Sequence, residues 1–161
     1  MTLFDLEQDD LGDWFAFFNS RVDPTSGDII YDEPEEGAAE FRIRSMLPFW
    51  EEKQRNRKKQ YKFVSNPTTR LMERVGYYED PPPDIAKKEN EDSWEYAITG
   101  IRNALKPDKT EIECNRENIL KLIEIPVFIR FIQRVFEIMS EGRVRFNEES
   151  EKNSLNPQSG H

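Results

Sequence analysis

Apolar residues alternate in the first half of the chain and recur at helical spacing in the second, a pattern that predicts strands followed by helices. Asn115 stands just before Ile119, Leu120, Leu122 and Ile123, and its short side chain can accept from the open N–H groups of a first helical turn. Pro126 closes that helix and can begin the next, Val127 to Glu141, with Gly142 as a natural stop. Upstream, Asp92 or Ser93 can cap a third helix carrying Trp94, Ala97, Ile98, Ile101, Ala104 and Leu105, which Pro107 ends.

The first half reads as hairpins. Trp14 to Phe18 is apolar on both faces and is followed by the turn formers Asp23-Pro24-Thr25-Ser26-Gly27-Asp28 and then Ile29-Ile30-Tyr31. Ala39, Phe41 and Ile43 alternate with charged residues as a half-buried strand, and Leu47 to Asn56 or Arg57 suits a short helix with Pro48 in its first turn. Tyr61 to Val64 and Arg70 to Tyr78 flank the turn Ser65 to Thr69 as a second hairpin. Pro81-Pro82-Pro83 then forms a stiff joint, after which Asp84 can cap a polar helical turn through Asn90.

The expected class is therefore α+β, with N-terminal β-hairpins and a strand packed beside a C-terminal three-helix unit. Its expected parts are an acidic flexible leader over 1–10, a β-rich subdomain with one short helix over 11–80, a helical subdomain over 84–142 and a disordered tail over 143–161. The tail carries too little apolar surface to offset about 1–2 kcal/mol of backbone entropy per ordered residue.

Composition narrows the chemistry. Charged residues are 34% and hydrophobic ones 36% of the chain, against roughly 25% and 45–50% for an average globular protein, so a small core is expected. Aromatic residues, at 12%, make that core aromatic and set the chain apart from disordered ones. With Cys114 the only cysteine and His161 the only histidine, the chain has no intrachain disulfide, no Cys/His zinc site and no Ser-His or Cys-His nucleophile pair. Catalysis, cofactor and metal are all expected to be absent. The acidic run Asp5, Glu7, Asp9, Asp10, Asp13 lacks the glycine and the bidentate glutamate of a calcium loop. Cys114 reads as a small core residue, although a nearby helix N-terminus could activate it. Without a long apolar run or a basic, apolar leader, the expectation is a soluble, cytoplasmic protein with no membrane attachment.

Charge is segregated along the chain behind a net value of −9. A basic segment over 53–62, with Arg55, Arg57, Lys58 and Lys59 as its patch, could hold phosphates, or could be a solvated face or a counterpart to the acidic leader. Tyr61 and Phe63, inside a basic strand, mimic a surface on which single-stranded bases stack, but alternation puts both rings on one face, where burial is the commoner outcome. The helix from Val127 is apolar over an arc of about 200°, wider than the roughly 100° of a one-sided helix, so two surfaces must cover it. One covering is the chain's own hairpins. The other is a partner or a second copy meeting the flank Ile129, Ile132 and Phe136.

Ser93-Trp94-Glu95-Tyr96-Ala97-Ile98-Thr99-Gly100-Ile101, a short strand Lys109 to Cys114, the helix start Asn115-Arg116-Glu117-Asn118-Ile119 and Pro126 before the last helix occur in an order that resembles tail assembly chaperones of tailed phages and prophages. The resemblance spans about a third of the chain, and the β-rich first half is larger than the small, mostly helical chaperones carry. It implies a non-enzymatic, cofactor-free protein that binds and shields an apolar tape-measure-like tail protein, with self-association possible. A regulatory nucleic-acid-binding protein using segment 53–62 is the second expectation, ranked below a protein partner.

Overall fold

A computed structural model of the chain describes Met1 and residues 10–155, the stretch 143–155 as helical backbone only. In chain order the elements are β1 (Asp13–Ala16), β2 (Ser20–Val22), β3 (Ile29–Tyr31), β4 (Glu40–Ile43), α1 (Leu47–Asn56), β5 (Lys59–Ser65), β6 (Met72–Tyr78), α2 (Pro83–Ala97), β7 (Ile98–Arg102), α3 (Arg116–Ile123) and α4 (Pro126–Leu155). Strands come first and helices close the chain, so the class is α+β as expected. Most of the leader 1–10 and residues 156–161 of the expected tail lie outside the described residues.

The chain divides into two compact units, Met1–Ser45 with Ala97–His161, and Met46–Tyr96. The division does not fall at the proline joint, because Pro83 instead opens α2, where its fixed φ and missing N–H suit a first helical turn.

In the first unit, a three-stranded antiparallel sheet runs in the order β1-β4-β7. The central strand β4 has the alternation its sequence implies: Phe41 and Ile43 are buried, while Glu40 bonds Arg102 at 2.6 Å and Arg42 Nε donates to the Gly12 carbonyl at 3.2 Å. Helix α4 supplies the other half of the core with Phe128, Phe131, Ile132 and Val135, all buried and spaced to fall on one helical face. Phe131 sits at the centre of an aromatic cluster, with the rings of Phe18, Phe17 and Phe41 at 4.9, 5.2 and 5.8 Å. Edge-on arrangements of this kind add to plain area burial. The small aromatic core expected from composition is present here.

Three elements depart from the sequence reading. First, Trp14 and its neighbours do not pair with Ile29 to Tyr31; β1 joins β4, and the hairpin across the Asp23–Asp28 turn is the shorter β2–β3 pair. An apolar two-faced run cannot remain on a short exposed hairpin when the edge of a buried strand is open to it.

Second, the helix expected to run from Trp94 to Leu105 ends at Ala97, and Ile98 to Arg102 becomes β7, paired with β4. Ile98, Thr99 and Ile101 are β-branched and Gly100 is a poor helix former, so the strand is locally permitted and pairing with β4 decides. The strand expected over Lys109 to Cys114 is reduced to one bridge, Leu105 with Glu111. Third, α4 continues through Gly142 to Leu155, where a stop and a disordered tail were expected. A glycine inside a helix costs only about 1 kcal/mol, so it ends a helix only where the next residues offer a better alternative.

The second unit contains α1, the β5–β6 ribbon and the body of α2. Phe49 packs edge-on to Trp50 at 5.1 Å and lies 5.7 Å from Tyr96, and Arg57 bonds Glu89 at 2.9 Å. None of the buried apolar side chains among the described residues belongs to this unit.

Candidate functional site

The partner flank expected on the last helix does not survive as a surface. Ile132 has 0% of its area accessible and belongs to the core, whereas Ile129 and Phe136 are half-buried. The wide apolar arc is largely covered within the chain itself, so a surface built on all three residues is corrected.

An open apolar groove of about 240 Å³ lies nearby, in the first unit. Ala104 and Leu105 from the loop after β7, Leu122 and Ile125 from the end of α3, and Val127 and Phe128 from the start of α4 line it. Local chemistry holds each wall. Asn115 caps α3 by accepting from the Asn118 N–H at 2.9 Å, and the Ile125 N–H donates to Leu122 O at 3.0 Å before Pro126 starts the next helix. The β7 loop is pinned by the Ile112 N–H donating to Ala104 O at 2.9 Å. Its turn is tied by Asp108, whose carboxylate accepts from Thr110 Oγ1 at 2.5 Å. Leu105 and Ile125 remain 57% and 48% exposed at the rim, although both are large and apolar. Leu105 reads in the sequence as the last apolar position of the helix expected from Trp94, and Ile125 falls between the runs of the last two helices, so neither marks a rim.

The basic patch is also redistributed. Arg55, Lys58 and Lys59 are exposed, but Arg57 is engaged by Glu89. The cations instead continue onto the β5–β6 ribbon, whose register pairs Lys59 with Tyr78, Tyr61 with Gly76 and Phe63 with Arg74. The expected burial of Tyr61 and Phe63 is overturned: they are 51% and 68% exposed. A two-stranded ribbon has a free surface on each face unless another layer covers it. Arg74 lies over the Tyr61 ring at 3.8 Å, and the Lys59 ammonium is 5.8 Å from the same ring.

Other candidates are structural. Cys114, expected in the core, is exposed, with its thiol 3.6 Å from the Ile98 carbonyl. Trp50 and Trp94 are half-buried. Asp10 and Asp13 are the described members of the acidic run, and Asp10 accepts from the Gly12 N–H at 2.9 Å as an ordinary turn residue. Among the described residues no group of His, Cys, Asp and Glu is placed to hold a metal ion, and no helix is long and apolar enough to cross a membrane.

The displaced acidities have local causes. The Thr25 N–H holds the Asp23 carboxyl below its ordinary range, the Thr110 hydroxyl does the same for Asp108, and Lys121 for Glu117. The Glu137 carboxylate raises Arg134. All four groups lie in turns or on helix surfaces. No family model, curated protein or solved structure matches the chain.

Proposed function

We propose that the chain is a non-enzymatic binding protein of phage or prophage tail assembly that shields an apolar segment of a long helical partner of the tape-measure kind. The observation that carries this reading is the open apolar groove with Leu105 and Ile125 exposed at its rim. A helix of the partner would lay its apolar face along the groove, covering Leu105 and Ile125 and the half-buried Leu122 and Val127. The acidic balance of the chain, −9 overall, would keep the complex dispersed. Further support comes from the sequence resemblance: its segments Lys109 to Cys114, Asn115 to Ile119 and Pro126 fall in the loop after β7 and in the helices α3 and α4 that contribute to the groove.

Each rim side chain moving from half-exposed to covered contributes about 1 kcal/mol, on a scale of about 1.5–3 kcal/mol for full burial of such a residue. The test is co-expression with a tape-measure-like tail protein, followed by solubility and co-purification. The native chain is expected to keep the partner soluble, and Leu105→Asp with Ile125→Asp to lose it while retaining the native circular dichroism spectrum. Undiminished co-purification with that double variant would rule the groove out, and a partner equally soluble without the chain would rule out the shielding role.

A further inference from the structure

From the β5–β6 ribbon we infer a second binding function: its ring-bearing face binds single-stranded nucleic acid. The register sorts the ribbon into two unlike faces. Lys59, Tyr61, Phe63, Met72, Arg74 and Tyr78 share one face, because paired residues and those two apart along a strand point the same way. That face carries three rings and two cations without a carboxylate. The single acidic residue among 57–78, Glu73, lies on the opposite face, where Asn66 Nδ2 donates to it at 2.7 Å.

The opposite face satisfies its polar groups internally. Tyr77 Oη donates to Gln60 Oε1 at 3.3 Å, Gln60 Nε2 donates to Glu79 at 2.7 Å, and the Lys62 ammonium sits 5.3 Å from the Tyr77 ring. On the ring-bearing face both cations are likewise held beside a ring, Tyr61. Gly76 makes this possible for Lys59: a Cβ at Gly76 would come within 2.3 Å of the lysine Cε, so the bare backbone gives the lysine stem a bed next to Tyr61.

Charge selects the occupant. Residues 57–74 hold six basic side chains, Arg57, Lys58, Lys59, Lys62, Arg70 and Arg74, and one acidic, Glu73, a balance of +5 in a chain of −9. A second copy of the ribbon would repel this one, whereas a polyanion is attracted. The rings refine the choice, because exposed aromatic faces beside cations suit unpaired bases that can stack on them. Tyr61 and Phe63, two residues apart on one strand, are spaced by roughly 6.6 Å along the ribbon. An acidic polypeptide would use the cations and leave Phe63 idle.

The experiment is fluorescence anisotropy of the full chain with a labelled oligothymidylate of about 16 nucleotides, the upper site size of a small single-strand surface. Binding is expected at low salt, with Phe63→Ala weakening it about ten-fold and Phe63→Trp retaining it. Lys59→Gln and Arg74→Gln are each expected to reduce the slope of log affinity against log salt by about 0.7. Phe63 is exposed, so an unchanged melting temperature in both Phe63 variants keeps folding out of the comparison. Absence of binding at low salt, indifference to Phe63→Ala, equal affinity for a duplex of the same length, or equal competition by polyglutamate would each overturn the inference.

Discussion

The N–H of Arg44 donates to the carbonyl of Ala97 at 2.9 Å, so the chain leaves the first unit after β4 and re-enters it before β7 one hydrogen bond away. The second unit is an insertion between two strands that pair directly. Since the buried apolar side chains among the described residues all belong to the first unit, that unit should fold without the insertion. Joining Ser45 to Ala97 by a short glycine-rich turn leaves Trp14 as the only tryptophan, and its fluorescence is expected to report one cooperative unfolding transition. A gradual, non-cooperative change would show that the first unit depends on the insertion.

Gly12 has a φ of +89°, and a Cβ there would lie 2.1 Å from the carbonyl oxygen of Ile43. Neither the conformation nor the neighbouring backbone can yield cheaply. Gly12→Ala is expected to destabilise the protein by at least about 1–3 kcal/mol, the ordinary cost of a strained backbone residue. Gly27→Ala is the control for positive φ without the clash, since nothing lies within 4 Å of a Cβ at that position. Urea midpoints of the two variants would separate the effects.

Ile132 is fully buried, so its substitution is a core change. Ile132→Ala is expected to lower stability by about 2–5 kcal/mol. Below its melting temperature, the variant should still bind the partner at native affinity through the groove. A selective loss of partner binding at unchanged stability would restore the flank as a contact surface.

Asn115→Ala removes the acceptor for the Asn118 N–H and should cost about 1 kcal/mol. Asn115→Asp keeps an acceptor and adds a charge favoured at a helix start, so it should be neutral or slightly stabilising. Thermal denaturation of both variants is the check.

The carboxylates of Asp23 and Asp108 are more acidic in the folded chain than an ordinary aspartate. Their contribution is therefore complete above the unfolded value of about 3.9 and is lost as the pH falls through their lower folded values. Because both groups are exposed, the effect is small and confined to acid. The difference in stability between the native chain and Asp23→Asn is expected to shrink as the pH falls below about 4, as first the unfolded and then the folded carboxylate takes up a proton. A difference that stays constant down to pH 2 would assign the turn's stability to its backbone bonds alone.

Sequence by itself determined the features whose causes lie within a few residues: the Asn115 cap, the start of α4 at Pro126, the Asp23–Asp28 turn, helix α1 and the β5–β6 hairpin. In each, backbone preference and a hydrogen bond to a near neighbour are enough. Tertiary structure decided the rest. Residues Ile98 to Arg102 satisfy a helical pattern and a strand pattern equally, and the choice rests with the edge of β4, more than fifty residues earlier. Burial is likewise a property of what lies opposite: Ile132 is enclosed and Phe63 is bare, although both are large apolar residues in regular elements. Periodicity specifies which residues share a face, but only the packed partner determines whether that face meets protein or water.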